Sequence, residues 1–416
     1  MKLLLFVLLT FSIISAQDYK TLFQPNTTYL DRGECTLDFF GAKNNLIDHD
    51  FKEYKNISWY TVAVDPHVIL PGSVVFLPQA VGIKLPDGTY HDGYFLAHQV
   101  LKNPSQEKVA LYIVDNAAGN PFKKLSGKKL NLYEIRGVKA KSVQLQYQLQ
   151  YRTGNEKPTY QMVASDLTEL MQYGNKNYPD ISQRIEYYST RALGTPYLIF
   201  NLGEGAACNP DPDPTIDFAR VDCMTLCEHM LALAISGNYQ NMYTNLQKIR
   251  YKNGVIKYVM RNHYTIADWL PNNSWLLSDV TKEIGGDLTK KMTKTIDRPN
   301  FYKTNGVPEE ELTNAPGKED VTADYVPTEN LLKIKEKLKG GEIVSIVTTH
   351  PAVISAHMGI IIRDRWDNLI FRHASSSEET HQVMDERFED YVNYLSHSKT
   401  RVGMLFMRTR NDFKIP

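Results

Sequence analysis

The sequence contains little cysteine and no excess of charge of either sign. Four cysteines occur in 416 residues, and Lys plus Arg and Asp plus Glu each total 47. Two pairs are too few for a disulfide framework in a chain of this length. The balanced charge, without a long basic run, argues against nucleic acid or an anionic membrane as the main partner. The sequence also has no internal repeat and no low-complexity tract.

Long apolar runs are absent except at the start of the chain. Residues 1–20 read MKLLLFVLLTFSIISAQDYK, one Lys and an apolar run that ends in Ser-Ala before polar residues. This pattern predicts a secretory signal peptide over residues 1–16, cleaved after Ala16. The alternative is a membrane anchor, but the run is shorter than the ~20 residues that a spanning helix needs. We therefore expect a secreted or periplasmic protein without a transmembrane segment after cleavage.

The length exceeds that of one ordinary hydrophobic core and predicts two domains. Residues 17–155 carry short strand-like runs separated by turns rich in Gly, Pro, Asn and Asp, and no convincing amphipathic helix lies between them. The strand-like runs are SWYTVAVD, GSVVFLPQA, GYFLAHQV and KVALYIVD. This region is predicted to be a small all-β domain, either a barrel or a sandwich.

The second region, residues 163–416, begins with helices and ends with strands. The helical segments are ASDLTELMQYG, DISQRIEYYSTRAL and ARVDCMTLCEHMLALA, and the strands are GEIVSIVTT, AHMGIIIRD, NLIFRHASS and TRVGMLFMRTR. Helices followed by strands predict an α+β domain with an antiparallel sheet. Residues 271–330 are polar with few apolar runs, and we expect them to form a long surface excursion.

One of these helices begins with a thiol. Asp222 is a good N-cap residue, so Cys223 falls in the first turn, where unpaired N–H groups and the helix dipole favour the thiolate. Cys227 lies one turn deeper among apolar residues and is expected to pack in the core. The helix pattern alone is also consistent with two plain buried cysteines.

Two histidines strengthen the functional interpretation of Cys223. His357 and His373 lie on adjacent strands that form a hairpin, and a turn centred on Arg365 or on Trp366 puts both on one face of the sheet. A thiolate needs a neighbouring base, and that base needs an orienting partner. We predict His357 as the base and His373 as the residue that fixes its tautomer.

A zinc site formed by Cys223, Cys227, His357 and His373 is the competing interpretation. The Cys-x3-Cys spacing differs from the usual Cys-x2-Cys knuckle. We expect no metal and no organic cofactor, because a thiol and an imidazole are sufficient for the chemistry.

Five motifs that occur in order carry a family resemblance: GTPYLIFNLGEG, VDCMTLCEHMLALA, RNHYTIADWL, AHMGIIIR and FRHASS. Together they resemble the N-acetylmuramoyl-L-alanine amidase-like family within the NlpC-type superfamily of papain-like cell-wall hydrolases, over roughly residues 165–410. The resemblance implies a Cys-His-His catalytic set, which corresponds to Cys223, His357 and His373, and a peptidoglycan or muropeptide substrate. It also implies a substrate-binding role for Asp222, Tyr264, Asp268 and Trp269, although helix capping and packing are the structural alternatives for these residues.

The first region is similar to the three-aspartate domain, a double-psi β-barrel found in some lytic transglycosylases. The similarity covers roughly residues 58–120, and Asp65 and Asp115 match two of the three acidic positions. The middle position reads Ala-His-Gln-Val over residues 97–100, without the expected acid. Glycan cleavage requires a carboxyl group, so we expect this domain to bind glycan or to position the catalytic domain.

Three functions are consistent with these features. The first is an exported cysteine amidase that cleaves the MurNAc–L-Ala amide through a thioester. The second is an endopeptidase that cuts the γ-D-glutamyl–diamino acid bond of the stem peptide. The third, from another class, is a catalytically silent cell-wall-binding protein.

Overall fold

The computed structural model describes residues 19–41, 46–48, 56–105, 107–114, 119–151 and 157–416. The predicted signal peptide over residues 1–16 lies outside the described residues. The chain separates into two compact units. The first contains the residues up to Gly154 together with 378–380, and the second contains residues 155–377 and 381–416.

The first unit is built around a closed β-barrel. Its strands are β1 (Thr27–Phe40), β2 (Ile47–Asp48), β3 (Thr61–Val64), β4 (Val74–Phe76), β5 (Tyr94–Leu101), β6 (Lys108–Tyr112) and β7 (Lys129–Gly137), followed by helix α1 (Val138–Tyr151). Six strands pair in the order β5–β3–β6–β1–β7–β4, and β4 pairs with β5 to close the barrel. Closure leaves none of these six strands with an unpaired edge.

The sequence pattern found four of the barrel strands and missed two. Strands β3, β4 and β5 are buried throughout, which explains why their apolar runs were visible. Strand β1 carries charged residues along its length, and its pairing with β7 is interrupted by a register shift between Asp31 and Glu34. Such a bulge breaks the alternation on which strand prediction depends.

The second unit combines helices with one large sheet. Its helices are α2 (Ala164–Asn177), α3 (Ile181–Arg191), α4 (Cys223–Ala234), α5 (Tyr239–Arg250), α6 (Leu270–Asn272), α7 (Thr281–Gly285), α8 (Arg298–Thr304) and α9 (Phe388–Ser396). Its strands are β8 (Leu277–Asp279), β9 (Lys290–Asp297), β10 (Lys318–Pro327), β11 (Ile343–Thr348), β12 (Ser355–Arg363), β13 (Leu369–Ala374), β14 (Val383–Arg387) and β15 (Arg401–Thr409). Within the described ranges, no helix has the length and apolar character required to cross a bilayer.

All strand pairs of this sheet are antiparallel, in the order β14–β13–β12–β11–β15–β10–β9, with β8 on β15. The predicted α+β class with an antiparallel sheet is confirmed. Helix α4 packs against α3, α5 and β12, and ten of its residues, Thr225 to Ala234, are buried. A helix with so few polar residues is expected to be enclosed in this way.

Residues 271–330 do not form the predicted surface excursion. They contain β8, α7, β9, α8 and β10, and β9 pairs with β10 over eight residues. Polar side chains join the two strands, including the pairs Thr293–Thr322 and Thr295–Asp320. Most of β9 and the first half of β10 are exposed or half-buried, so these strands carry few of the apolar residues that mark a strand in sequence.

Candidate active site

Cys223 is the first residue of α4, as predicted. The Asp222 carboxylate accepts hydrogen bonds from the backbone N–H groups of Met224 at 3.0 Å and Thr225 at 2.8 Å. The Thr225 hydroxyl in turn accepts from the N–H of Asp222 at 2.8 Å. Asp222 is therefore the N-cap of α4, and its reciprocal bonds with Thr225 form a capping box.

The resting state of the thiol differs from the prediction. Burial raises the pKa of Cys223 to about 12, and the negative charge of Asp222 adds to this effect. The backbone N–H groups of Met358 and Met224 favour the thiolate, but their effect is smaller. The prediction that the helix N-terminus gives this thiol a low pKa is wrong for the free protein, because desolvation outweighs the helix end.

A chain of three ionisable side chains lies on the neighbouring strands. His357 Nε2 is 2.9 Å from His373 Nδ1, and His373 Nε2 is 3.0 Å from a carboxylate oxygen of Glu386. Both histidines are buried. Ile360 pairs with Arg372, which is the register of a turn centred on Trp366 and places the two histidines on one face.

Helix α4, which begins at Cys223, packs against β12, the strand that carries His357. The backbone N–H of Met358, the residue after His357, donates a hydrogen bond to the Cys223 sulfur. One turn further along α4, the Cys227 sulfur lies 3.8 Å from the Gly359 carbonyl oxygen. Gly359 is required here because a Cβ would lie 2.5 Å from the Phe371 ring. Cys227 packs in the core beside this strand, as predicted.

The hydrogen-bonded chain assigns the proton positions. An ionised Glu386 carboxylate only accepts, so the proton of neutral His373 lies on Nε2 and its Nδ1 accepts from His357. His357 then carries its proton on Nε2 and presents an unprotonated Nδ1. Burial lowers the pKa of His357 well below its usual value, and the positive charge of Arg401 adds to this effect. His357 is therefore neutral at pH 7 and has one nitrogen ready to accept a proton.

Glu386 is a site residue that the sequence did not reveal. Strand β14 was not predicted, and Glu386 pairs with Phe371, one diagonal step from His373. The segment from Val383 to Arg387 has only two apolar residues, at its start, and no alternation. The three consecutive charged residues that follow, Asp385 to Arg387, conceal a strand in the sequence.

The three remaining candidates of the second unit, Tyr264, Asp268 and Trp269, lie in different environments. Tyr264 lines a small pocket with Ser355, which begins β12. Asp268 is buried and forms an ion pair with Arg298. The side chain of Trp269 is completely buried and so does not line a cleft. Asp268 and Trp269 therefore have structural roles, an ion pair and core packing, which is the alternative that the sequence left open for them.

The barrel candidates belong to the first unit. Asp65 follows β3, is buried, and accepts a hydrogen bond from the N–H of His67 at 2.8 Å, which stabilises the turn after the strand. Asp115 lies outside the described residues. His98, at the position where an acid was expected, is buried in β5.

The described ranges contain no group of three His, Cys, Asp or Glu side chains arranged to hold a metal ion. All four cysteines are free thiols, with Cys35 buried in the barrel and Cys208 exposed. No donor set therefore supports the zinc alternative in these ranges.

A protonated resting thiol has a measurable consequence. In a Cys208→Ser background, which removes the exposed thiol, we expect iodoacetamide to alkylate Cys223 about tenfold faster for each pH unit between 6.5 and 10. Peptide mass spectrometry identifies the alkylated cysteine, and buried Cys35 and Cys227 serve as internal controls. A rate that is already constant above pH 7.5 would show a thiolate and contradict this assignment.

A thiol at a helix start, hydrogen-bonded by the strand that carries His357 and next to a His–His–Glu chain in the sheet, is an arrangement suited to nucleophilic attack on an acyl group. The family model described as N-acetylmuramoyl-L-alanine amidase-like (AmiA-like) matches residues 187–398, about half of the chain. The chain belongs to this amidase-like family. The matched residues include Cys223, His357, His373 and Glu386.

The solved structures that resemble the chain include one from Legionella pneumophila and one from Bacteroides uniformis. A protein from Legionella pneumophila is 23% identical, with a TM-score of 0.54, and the match covers 59% of this chain and 94% of the other. At that identity the likeness shows a common fold alone. An N-acetylmuramoyl-L-alanine amidase from Bacteroides uniformis is 26% identical over 56% of this chain and 99% of its own, with a TM-score of 0.45. A comparison with curated proteins gives no match.

Proposed function

We propose that this protein is an exported, cysteine-dependent N-acetylmuramoyl-L-alanine amidase that cleaves the MurNAc–L-Ala amide of peptidoglycan or its fragments. The observation that carries the proposal is the Cys223 thiol at the start of α4 beside the hydrogen-bonded chain of His357, His373 and Glu386. Membership of the amidase-like family supports the reaction class. The proposal includes a papain-like, NlpC-type catalytic domain and a cleaved signal peptide.

The first half of the reaction forms a thioester. His357 Nδ1 takes the thiol proton as the Cys223 sulfur attacks the carbonyl carbon of the lactyl group. The resulting oxyanion accepts from the backbone N–H of Cys223, since Asp222 already occupies those of Met224 and Thr225. When the carbon–nitrogen bond breaks, the departing L-Ala nitrogen takes the proton from His357, and the free stem peptide leaves.

The second half hydrolyses the thioester. Water gives a proton to His357 Nδ1 and its oxygen bonds to the acyl carbon, after which the carbon–sulfur bond breaks and the sulfur regains the proton. In both halves His357 is transiently an imidazolium. The Glu386 carboxylate stabilises that charge through His373, in the manner of an orienting third residue.

We propose that the barrel of the first unit is a double-psi barrel that binds glycan. The closed ring of six strands contains two parallel pairs, β1 with β6 and β3 with β5, which supports a fold related to the three-aspartate domain. Asp65 is engaged in a turn, so binding is proposed for this unit rather than acid catalysis.

Product analysis in ¹⁸O-labelled water tests the function. We expect purified protein and GlcNAc-MurNAc-tetrapeptide to give free tetrapeptide and a peptide-free disaccharide whose lactyl carboxylate carries the label. Mass spectrometry measures both products. Label in the γ-carboxyl of D-Glu would indicate the endopeptidase. Absence of product from both muropeptides and sacculi, with retained binding to sacculi, would favour the silent wall-binding protein.

A further inference from the structure

The segment Pro196–Asn201 places apolar side chains in solvent beside the start of α4. Leu198, Ile199 and Phe200 follow one another and are all exposed, Phe200 to 69%. Isolated surface apolar residues are common, but three in succession form a patch. The mechanism above makes no use of this patch.

This exposed segment is held firmly. The N–H of Leu198 donates to the Val221 carbonyl oxygen at 3.0 Å, and the N–H of Val221 donates to that of Pro196, also at 3.0 Å. The Asn201 side-chain amide donates to the Arg220 carbonyl oxygen at 2.6 Å. The patch is therefore part of a fixed surface, although its side chains bury little area within the described residues.

Phe200 is the most unusual residue of the segment. Its φ is +55°, in the left-handed region that aromatic residues rarely adopt. Its N–H donates to Asp222 Oδ2 at 3.2 Å, while Oδ1 of the same carboxylate caps α4. One carboxylate thus fixes both the Cys223 helix and the backbone that presents the exposed ring. Strained residues of this kind occur preferentially at functional sites.

We propose that Phe200 is the stacking platform for the sugar ring of the substrate, an assignment that rests on the proposed function. A pyranose presents an uncharged face of C–H groups that can cover an aromatic ring. The stem peptide carries carboxylates, whereas residues 196–201 contain no cation and are bonded to the Asp222 carboxylate. The charge therefore favours the sugar over the stem peptide as the occupant of this surface.

A pair of substrates that differ only in the sugar tests this assignment. One is MurNAc-L-Ala-D-isoGln, and the other is D-lactoyl-L-Ala-D-isoGln, which keeps the scissile amide. We expect Phe200→Ala to lower kcat/KM for the sugar substrate about tenfold, mainly through KM, and to leave the lactoyl substrate within twofold of the wild type. Phe200→Tyr keeps the ring and should retain wild-type preference for the sugar.

The matched control is Tyr173→Ala, which removes a 54% exposed aromatic side chain from α2 and should change neither substrate. An equal loss on both substrates, or no loss on either, in Phe200→Ala would overturn the assignment. Failure of the proposed function is visible separately, in the wild type, as cleavage at another bond or at none. In that case the deciding measurement is the Kd of MurNAc-L-Ala-D-isoGln for the Cys223→Ala variant and for the Cys223→Ala/Phe200→Ala double variant. Binding about tenfold weaker in the double variant supports the platform, and unchanged binding rejects it.

Discussion

Replacing Cys223 with Ala is expected to lower kcat for muropeptide hydrolysis by roughly 10⁴-fold or more, because no other group of the site can form the thioester. The change removes a single sulfur atom, so the melting temperature should remain close to that of the wild type. Initial rates by product mass spectrometry and a thermal unfolding curve measure the two quantities. Cys208→Ser, which changes an exposed thiol, is the matched control and should retain full activity.

The same variant shows whether the thiol and the imidazole act as a unit. Addition of His357→Ala to Cys223→Ala should produce almost no further loss, although His357→Ala alone should be severe. Residual activity of Cys223→Ala within tenfold of the wild type would reject the cysteine mechanism. Multiplicative losses in the double variant would reject the coupling of Cys223 with His357.

Replacing Arg250 with Met is expected to destabilise the second unit by about 3–5 kcal/mol, because it leaves a buried carboxylate without its partner. Arg250 forms an ion pair with Glu228 of α4, and their side chains are only 4% and 3% exposed. Arg250 also donates to the Leu202 carbonyl oxygen at 3.2 Å. The pair thus joins α5, α4 and the loop after the exposed segment.

Guanidinium unfolding in a Trp59→Phe background measures this effect. The remaining tryptophans all belong to the second unit: Trp269, Trp275 and Trp366. Lys290→Met is the matched control, since its ion pair with Glu329 is exposed and its loss should cost less than about 0.5 kcal/mol. The double change Arg250→Met with Glu228→Leu should be more stable than Arg250→Met alone. Equal stability of the two would show that the uncompensated charge is not the cause.

The sequence predicted the local parts of the site well. The N-cap residue Asp222 predicted that α4 starts at Cys223. The turn between β12 and β13 predicted a register that places His357 and His373 on one face of the sheet. Both depend on short-range rules, helix capping and strand alternation, which act over a few residues. Long-range packing was not needed for either prediction.

The strands found from sequence were those buried along their length, and the strands missed were those with exposed faces. Strand β5 is buried at every position, whereas the exposed part of the β9–β10 hairpin carries cross-strand polar pairs. Apolar periodicity reports burial rather than pairing. A hairpin that is exposed to solvent therefore resembles a polar loop in the sequence.

The start of α4 at Cys223 and the common face of the two histidines could be predicted from sequence, because capping and alternation are local. The packing of distant segments established that Glu386 completes the chain from His357 and that Asp268 binds Arg298. It also decided that the Cys223 thiol is protonated at rest, since burial raises its pKa to about 12 against the helix end. Desolvation and the contacts of distant segments depend on the packed chain, and neither is encoded in any single stretch of residues.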